Sequence, residues 1–366
     1  MKYAPFFFDV RKAFDTVPHL LLLQTLDKLG LDKYLLRWVR NYLLQRFQYV
    51  AIDGCESQSL PAISGIPQGS VLGPLLFICY INDVTSVISS GSEINMFADD
   101  IVLYRIITSP SDFVHLQQDI DSLSMCITGK QLQFNATKCR QMFISRKRAH
   151  SLTPPSLYVD GTALLQVSEY KYLGVVITSN LSWRPHITNM CNKTRKLIGL
   201  LYRRFYQSSN STTLLKLYLS FIRPHQEYSS PVWSPHLKGE LETIEKVQKY
   251  TLKVCIKSWD SSYADLLSMT SLPSMQCRRL QASLCHLYKI MHGLTDFPDA
   301  PTTRQEFRYN SRSSTTEAMM VPHFRTSSHQ HSFIPHTICE WNKLPKEIIE
   351  CKTLGSFKSS LSKHYV

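Results

Sequence analysis

Three aspartates stand out because each lies at the end of a short apolar run or between two such runs. Asp9 ends the first run, while Asp99 and Asp100 separate Ile94–Ala98 from Ile101–Arg105. Mg²⁺ prefers carboxylate oxygens, and two-metal phosphoryl transfer needs carboxylates that bridge ions about 3.5–4 Å apart. An Asp-Asp pair by itself is usually only a solvated turn, so its meaning depends on the surrounding sequence.

The elements that would hold these aspartates alternate between short strands and amphipathic helices, joined by hairpins rather than regular βαβ units. This pattern predicts an α+β fold around an antiparallel sheet, with the first apolar run as a central strand. Helices are predicted at Leu20–Leu29, Lys33–Leu44, Val71–Asn82 and Ser109–Ile127. Further strands are predicted at Gln48–Ile52, Ser57–Ile63, Arg140–Ser145, Leu157–Val159 and Tyr170–Thr178.

Composition narrows the class of protein. The 366 residues carry a formal net charge of +13, which favours a polyanionic partner, although a merely basic soluble protein is about equally compatible with charge alone. The ten cysteines include no C-x-x-C pair, so a zinc ribbon and a dithiol redox site are not indicated. The longest apolar run, Val71–Ile81, is short of the about 20 residues that span a bilayer. We therefore expect an intracellular protein without a membrane partner.

Five segments, in order, resemble motifs A to E of non-LTR (LINE-type) retrotransposon reverse transcriptases. They are Phe8–Asp15 (FDVRKAFD), Ser64–Pro74 (SGIPQGSVLGP), Phe97–Asp100 (FADD), Leu132–Asn135 with Lys138, and Tyr170–Gly174 (YKYLG). Intron-encoded and retron enzymes share motifs A to C. The Pro67–Pro74 block favours the LINE type, as does Glu340–Pro345 (EWNKLP), which resembles the closing segment of jockey-like elements.

The resemblance implies a role for each matching residue. Asp9, Asp99 and Asp100 would be the catalytic residues and the ligands of two Mg²⁺ ions, with Mn²⁺ as a possible substitute. The residues implied in substrate binding are Val10, Phe14, Gln68, Gly69 and Lys138. Phe14 would exclude a 2′-hydroxyl, and Lys138 would act as a general acid or neutralise the departing pyrophosphate. Asp15 is expected to be structural, and Gly65 and Gly69 to let backbone approach a nucleotide.

The resemblance also implies a right-hand polymerase palm followed by a helical thumb and a mostly helical C-terminal region. The expected boundaries are 1–180 for the palm, 181–235 for the thumb, 236–300 for a helical connection, 301–332 for a polar linker and 333–366 for a C-terminal segment. From Arg184 to Gln226 the chain is basic and has no acidic residue. The cations expected to grip nucleic acid there are Arg184, Lys193, Arg195, Lys196, Arg203 and Arg204.

The function implied is RNA-directed DNA synthesis, with an RNA template, a DNA primer and dNTPs as partners. The fingers and the endonuclease of such elements are expected to be absent from this chain. Cys126 and Lys130 replace tryptophans common in the family, which indicates relaxed selection. Two alternatives therefore stay open: a catalytically dead remnant that binds RNA or RNA–DNA hybrid, and an unstable fragment without function. The expected location is the nucleus or a cytoplasmic ribonucleoprotein.

Overall fold

A computed structural model describes residues 2–145, 154–297, 301 and 319–365. The chain forms two compact units, Met1–Ser182 and Trp183–Val366. The first combines a sheet with helices, and the described part of the second is almost entirely helical. The predicted α+β class is confirmed, with a sheet flanked by helices and a helical C-terminal half. The predicted subdivisions of that half stay predictions, and residues 302–318 of the expected linker lie outside the described residues.

The main sheet of the first unit has six strands, with β1 at its centre as predicted. Its order is β12-β8-β1-β7-β6, with β9 also paired to β1. Every pairing is antiparallel except that of β12 with β8. The strands are β1 (Lys2–Asp9), β6 (Ser92–Phe97), β7 (Asp100–Ile106), β8 (Arg140–Gln141), β9 (Ile144–Ser145) and β12 (Leu165–Gln166).

The strand predicted at Arg140–Ser145 is interrupted between β8 and β9. Both halves pair with β1 in one continuous register, since Phe6 lies opposite Gln141 and Tyr3 opposite Ile144. Between them Met142 donates its N–H to the carbonyl of Pro5 at 3.0 Å. Because proline has no backbone N–H, Pro5 cannot donate a hydrogen bond back to Met142, and the ladder lacks one hydrogen bond at this point.

Alternation along β1 assigns its side chains to the two faces of the sheet. Ala4, Phe6 and Phe8 are each 2% exposed and lie in the core cluster shared with the helices. Phe7 points to the other face, where its ring stacks on Tyr170 with centroids 4.1 Å apart. Because side chains alternate along a strand, Asp9 follows Phe7 onto the face opposite the helices.

The helices of the first unit are α1 (Ala13–Thr16), α2 (His19–Lys28), α3 (Lys33–Leu43), α4 (Leu72–Ile81), followed by a 3₁₀ helix at Asn82–Val87, and α5 (Ser111–Gly129). Four of them, α2 to α5, agree with the predicted ones to within two residues at each end, whereas α1 and the short 3₁₀ helix were not predicted. The start of α5 is fixed by Asp112, whose carboxylate accepts the backbone N–H groups of Thr108 and Ser109, each at 2.8 Å. That cap satisfies donors that would otherwise lack partners next to a helix start.

Two predicted strand regions are wrong in detail, because periodicity does not reveal that one strand is interrupted or that another contains a hairpin turn. The region around Asp53-Gly54 forms four two-residue strands: β2 (Phe47–Gln48), β3 (Ala51–Ile52), β4 (Cys55–Glu56) and β5 (Leu60–Pro61). The single strand predicted at Tyr170–Thr178 is a hairpin of β13 (Glu169–Tyr172) and β14 (Val175–Thr178). Leu173 and Gly174 turn it at φ 44° and 82°, a turn that alternating apolar residues conceal. A small hairpin joins β10 (Tyr158–Val159) to β11 (Thr162–Ala163).

The described helices of the second unit pack around buried aromatic and aliphatic residues. They are α6 (Arg184–Phe205), α7 (Ser211–Leu217), a π-helix at Tyr218–Ile222, α8 (Arg223–Glu227), α9 (Ser230–Trp233), α10 (Lys238–Ile256), α11 (Tyr263–Thr270), α12 (Met275–Met291), α13 (Ser327–Gln330), α14 (Phe333–Trp341), α15 (Lys346–Ile349) and α16 (Leu354–His364). Trp341 and Leu344 lie in one buried cluster with Phe357, so the segment Glu340–Pro345 contributes to packing. Among the described residues, no helix has the length and apolarity to cross a membrane.

Candidate active site

The three aspartates lie at one end of the β1–β7 ladder. Asp9 and Asp100 are direct partners across the two strands, so both belong to the face opposite the helices. Asp99 lies in the two-residue turn between Phe97 and Asp100, which are paired. Ala98 in that turn has a φ of 54°, a conformation that costs a non-glycine residue about 1 kcal/mol or more. The turn therefore holds Asp99 at its tip at the expense of local strain.

A cavity of about 450 Å³ opens beside these residues. Asp9 and Asp99 line it, whereas Asp100 does not. Its other lining residues are Val10, Arg11, Lys12, Ala13, Phe14, Gln68, Asn135 and Lys138. Residues of motifs A, B, C and D, which lie far apart in sequence, thus meet around one space.

The carboxylates influence one another. Burial, together with the charges of Asp99 and Asp9, raises the pKa of the Asp100 carboxyl. A divalent cation would relieve this repulsion, and hard carboxylate oxygens are suitable ligands for it. Yet within the described residues no three His, Cys, Asp or Glu side chains are grouped closely enough to hold a metal ion. The side chains that fit a cation at the cavity are therefore those of Asp9 and Asp99, two carboxylates rather than three.

Lys138 is positioned at Asp9 by the loop that resembles motif D. Its Nζ lies 3.6 Å from Oδ2 of Asp9. The loop is fixed to motif A, since Asn135 donates its N–H to the Asp9 carbonyl at 2.7 Å and Arg11 donates to Gln133 at 2.8 Å. The backbone N–H of Lys138 donates to the Asn135 carbonyl at 2.8 Å. The ion pair is two-thirds exposed on the lysine side, so it contributes little stability and leaves the ammonium accessible.

The loop that resembles motif B is clamped onto α1. Gly65 donates its N–H to the Val17 carbonyl, and Ile66 donates to that of Phe14, both at 2.8 Å. The Gln68 carboxamide donates to Oδ1 of Asp15 at 2.8 Å, which agrees with the structural role expected for Asp15. The loop therefore carries Gln68 to the cavity in a fixed orientation.

The two glycines of this loop differ in what surrounds them. Gly65 has a φ of 87°, and a Cβ there would lie 2.7 Å from the Asp15 carbonyl oxygen. Gly69 has a φ of 77°, but a Cβ there would meet nothing within 4 Å. The close approach seen at Gly65 is to α1 and not to a ligand, whereas Gly69 faces open space. Nucleotide contact by Gly69 stays a prediction.

Phe14 and Val10 differ in how they meet the cavity. Phe14 is half-buried and stacks on Phe77 with ring centroids 4.5 Å apart, which gives the cavity an aromatic wall. Val10 is only 4% exposed and forms a β-bridge with Phe134. The Val10 side chain is thus mainly part of the core, and the substrate contact predicted for it stays a prediction.

The β13–β14 hairpin covers the sheet face next to the carboxylates. Phe7 contacts both of its tyrosines, Tyr170 and Tyr172. Burial, and then the charge of Asp100, raises the pKa of each tyrosine hydroxyl. Both tyrosines therefore stay protonated and can donate hydrogen bonds beside the carboxylates.

Four lining residues escaped the sequence analysis: Arg11, Lys12, Ala13 and Asn135. Arg11 and Lys12 are exposed, and Lys12 has a left-handed φ of 47° that starts α1. The sequence could have indicated Arg11 and Lys12, since both lie within motif A, immediately after Asp9 and Val10. The sequence did not show that the chain turns at Lys12, and this turn keeps Arg11 and Lys12 beside the carboxylates.

The basic residues predicted to grip nucleic acid all belong to α6 in the second unit. All six are exposed, while Ile187, Cys191 and Ile198 of the same helix are buried. The helix contains no acidic residue. Exposed cations without acidic neighbours in the helix suit phosphate contacts, and their role stays a prediction.

The sheet-containing unit of this chain is similar to a known family of proteins. Residues 4–177 match the family model described as "Reverse transcriptase (RNA-dependent DNA polymerase)". That span contains the sheet, the cavity and all five motifs. The chain therefore carries a reverse transcriptase domain.

Within that class the chain is a relative of non-LTR retrotransposon polymerases, as the motifs predicted. It is 28% identical over 257 residues to the RNA-directed DNA polymerase from mobile element jockey of Drosophila melanogaster, covering 68% of this chain and 28% of that protein. It is also 28% identical over 250 residues to the probable RNA-directed DNA polymerase from transposon X-element of the same species, covering 66% and 27%. The chain thus spans less than a third of these relatives. A solved apo telomerase from Candida tropicalis aligns over 83% of this chain and 52% of that chain, at a TM-score of 0.40 and 11% identity.

Proposed function

We propose that this chain catalyses RNA-directed DNA synthesis, adding dNTPs to the 3′-hydroxyl of a DNA primer on an RNA template. The observation that carries the proposal is the cavity in which Asp9 and Asp99 meet three cations, Phe14 and Gln68. The two carboxylates suit a divalent metal ion. The three basic side chains suit the phosphates of an incoming nucleotide.

Reverse transcriptases use divalent metal ions, and the donor set of this site is suited to them. Asp9 and Asp99 would hold Mg²⁺, with Asp100 as a third carboxylate at the edge of the site and Mn²⁺ as a substitute. Two bound ions would supply a lower pKa for the attacking 3′-hydroxyl and charge stabilisation for the leaving pyrophosphate.

The side chains of the protein position the reactants. Arg11, Lys12 and Lys138 offer three positive charges to the triphosphate, whose α-phosphorus forms a bond to the primer 3′-oxygen while pyrophosphate leaves. Lys138, anchored at Asp9, neutralises or protonates the departing group. Phe14, backed by Phe77, provides an apolar wall for the sugar.

The test is incorporation of labelled dTTP on poly(rA) primed with oligo(dT), in the presence of Mg²⁺. Asp99→Asn keeps the size of the side chain but removes its charge, and should lower the rate by about 100-fold or more, since charge stabilisation by a metal contributes several kcal/mol. Asp27→Asn on α2 makes the same change at an exposed position outside the cavity and should leave the rate unchanged. Equal incorporation by the wild type and Asp99→Asn would overturn the assignment.

A second candidate function is binding of RNA–DNA hybrid without synthesis. Two observations favour it: the exposed cations of α6, and the lack of a ready three-carboxylate metal group among the described residues. In that case the wild type and Asp99→Asn would bind hybrid equally, with a steep salt dependence, and neither would incorporate dTTP.

A further inference from the structure

Helix α3 exposes a face that the active site does not use. Its inner side is formed by Val39 and Leu43, which are 6% and 1% exposed and pack in the core of the first unit. Its outer side carries Tyr34 and Trp38, which are 85% and 53% exposed. None of these four residues lines the cavity at Asp9.

Two exposed aromatic residues, Tyr34 and Trp38, continue along the helix into Tyr42, which is partly buried and packs against the core cluster. Tyr34, Trp38 and Tyr42 follow one another at intervals of four residues, which places them on one side of a helix. The rings of Trp38 and Tyr42 are nearly parallel, at 8°, with centroids 5.8 Å apart. Arg46 extends this row, since its guanidinium lies 5.1 Å from the centre of the Tyr42 ring. The flat surface of the Trp38 indole remains accessible beside them.

A row of cations runs alongside these aromatic residues. Lys33, Arg37 and Arg40 follow the i, i+4, i+7 pattern of a neighbouring side of the helix. From Lys33 to Ile52 the sequence contains no Asp or Glu. Within the part of the chain that the structure describes, none of these three cations, nor Arg46, has a carboxylate within ion-pair distance.

We propose that this surface binds single-stranded nucleic acid. It is called here the α3 face and comprises Tyr34, Trp38, Tyr42, Lys33, Arg37, Arg40 and Arg46. Unpaired bases would stack on the exposed rings of Tyr34 and Trp38, with Tyr42 supporting Trp38 from the core side, while the phosphates contact the neighbouring cations. This contact requires neither a metal ion nor DNA synthesis, so it goes beyond the proposed polymerase activity and can exist without it.

The chemistry of the face favours a single strand over other occupants. In a duplex the flat surfaces of the bases are stacked on one another, so aromatic side chains have no free base to contact. A protein partner would have to bring acidic groups to the four cations, whereas a polynucleotide offers regularly spaced negative charge together with aromatic bases. Lone exposed aromatics are common, but two neighbouring exposed rings beside cations that lack a carboxylate partner are the pattern of a stacking platform.

The test uses the full 366-residue chain and a fluorescein-labelled 15-nucleotide oligo(U), with no dNTP present. Trp38→Ala should weaken binding about tenfold or more, as expected for the loss of one base–aromatic stack. Trp38→Phe, which keeps a ring, should restore most of the affinity. The double variant Arg37→Glu/Arg40→Glu should reduce the slope of log K against log salt by about 1.4, the value for two lost phosphate contacts to a single strand.

Matched variants separate this site from general charge effects. Lys352→Glu/Lys363→Glu makes the same charge change at exposed positions of the second unit and should alter binding less than twofold. The binding assay contains no dNTP, so a failure of the polymerase assay leaves this result independent. With 4-thiouridine in the RNA, ultraviolet cross-linking to the wild type should yield a labelled peptide that contains Trp38.

Two outcomes would overturn the proposal. The first is unchanged oligo(U) affinity in both Trp38→Ala and the double arginine variant, with cross-links found only outside α3. The second is self-association of the wild type that Trp38→Ala abolishes without any change in RNA affinity, which would make the α3 face a contact between two copies of the chain. Far-UV circular dichroism melts of each variant confirm that the proteins compared are folded.

Discussion

The contact between Gly65 and α1 gives the sharpest test of how motif B is held against motif A. Replacing Gly65 with alanine would bring a Cβ within 2.7 Å of the Asp15 carbonyl oxygen and 2.9 Å of its Cα. Carbon atoms in comfortable contact are about 3.5–4.0 Å apart. The obstructing atoms are backbone, so they cannot rotate away as a side chain would. The loop and α1 must therefore separate.

The free energy lost to backbone strain can be separated from that lost to the clash by comparing Gly65→Ala with Gly69→Ala. Gly65 and Gly69 have similar left-handed φ values, 87° and 77°, so alanine at either position pays about 1 kcal/mol of backbone strain. Only at Gly65 is there also a clash, which would weaken the two 2.8 Å hydrogen bonds to Val17 and Phe14 at about 0.5–1.5 kcal/mol each. We expect Gly65→Ala to destabilise the first unit by about 3 kcal/mol and Gly69→Ala by about 1 kcal/mol.

Hydrogen exchange of the β1 amides (Lys2–Asp9) measures this difference within the first unit, because core strands open only with the unit as a whole. The expected gap of about 2 kcal/mol corresponds to a roughly 30-fold difference in the opening equilibrium. Gly65→Ala should also lose polymerase activity, since Phe14 and Gln68 would move with the loop. If the two variants exchange at the same rate, the close approach to Asp15 is not what requires glycine at position 65.

Three further predictions concern single side chains. Lys138→Ala should lower the incorporation rate about 100-fold, and Lys138→Arg should restore it if the lysine acts only as a charge, because an arginine cannot deliver a proton. Hydrogen bonds from the backbone of Ser109 and Thr108 hold the pKa of Asp112 well below its usual range, so its carboxylate stabilises the fold above pH about 4 and loses this effect as the pH falls further. Asp112→Asn should therefore cost about 1–2 kcal/mol in urea unfolding at pH 7 and clearly less at pH 2, where the effect is already partly lost; an equal cost at both would contradict this reasoning. Arg279 is 1% exposed, and its guanidinium has no hydrogen-bond partner among the described residues, with Glu245 still 3.9 Å away. Arg279→Met should thus leave the free energy of unfolding unchanged or raise it by about 1 kcal/mol, and a loss above about 2 kcal/mol would show that the buried charge is satisfied.

The motifs could be found from sequence because each is a local pattern with a local cause. Phe6–Phe8 is apolar on both faces since a central strand is covered on both sides, and Pro67-Gln68-Gly69 marks a loop because proline and glycine interrupt regular structure. The ends of the helices followed from the same local rules. The turns at Leu173-Gly174 and the break opposite Pro5 were missed, because one lies within an apolar alternation and the other depends on the partner strand.

What the sequence alone determined is which residues belong to the site and which family they resemble, since the five motifs can be recognised without coordinates. Only the tertiary structure decided how they meet. It paired Asp9 with Asp100 across two strands, placed Asp99 but not Asp100 on the cavity wall, and added Arg11 and Lys12 to that wall. The physical reason is that register and the alternation of side chains across a sheet depend on strand partners distant in sequence, which composition and spacing do not specify.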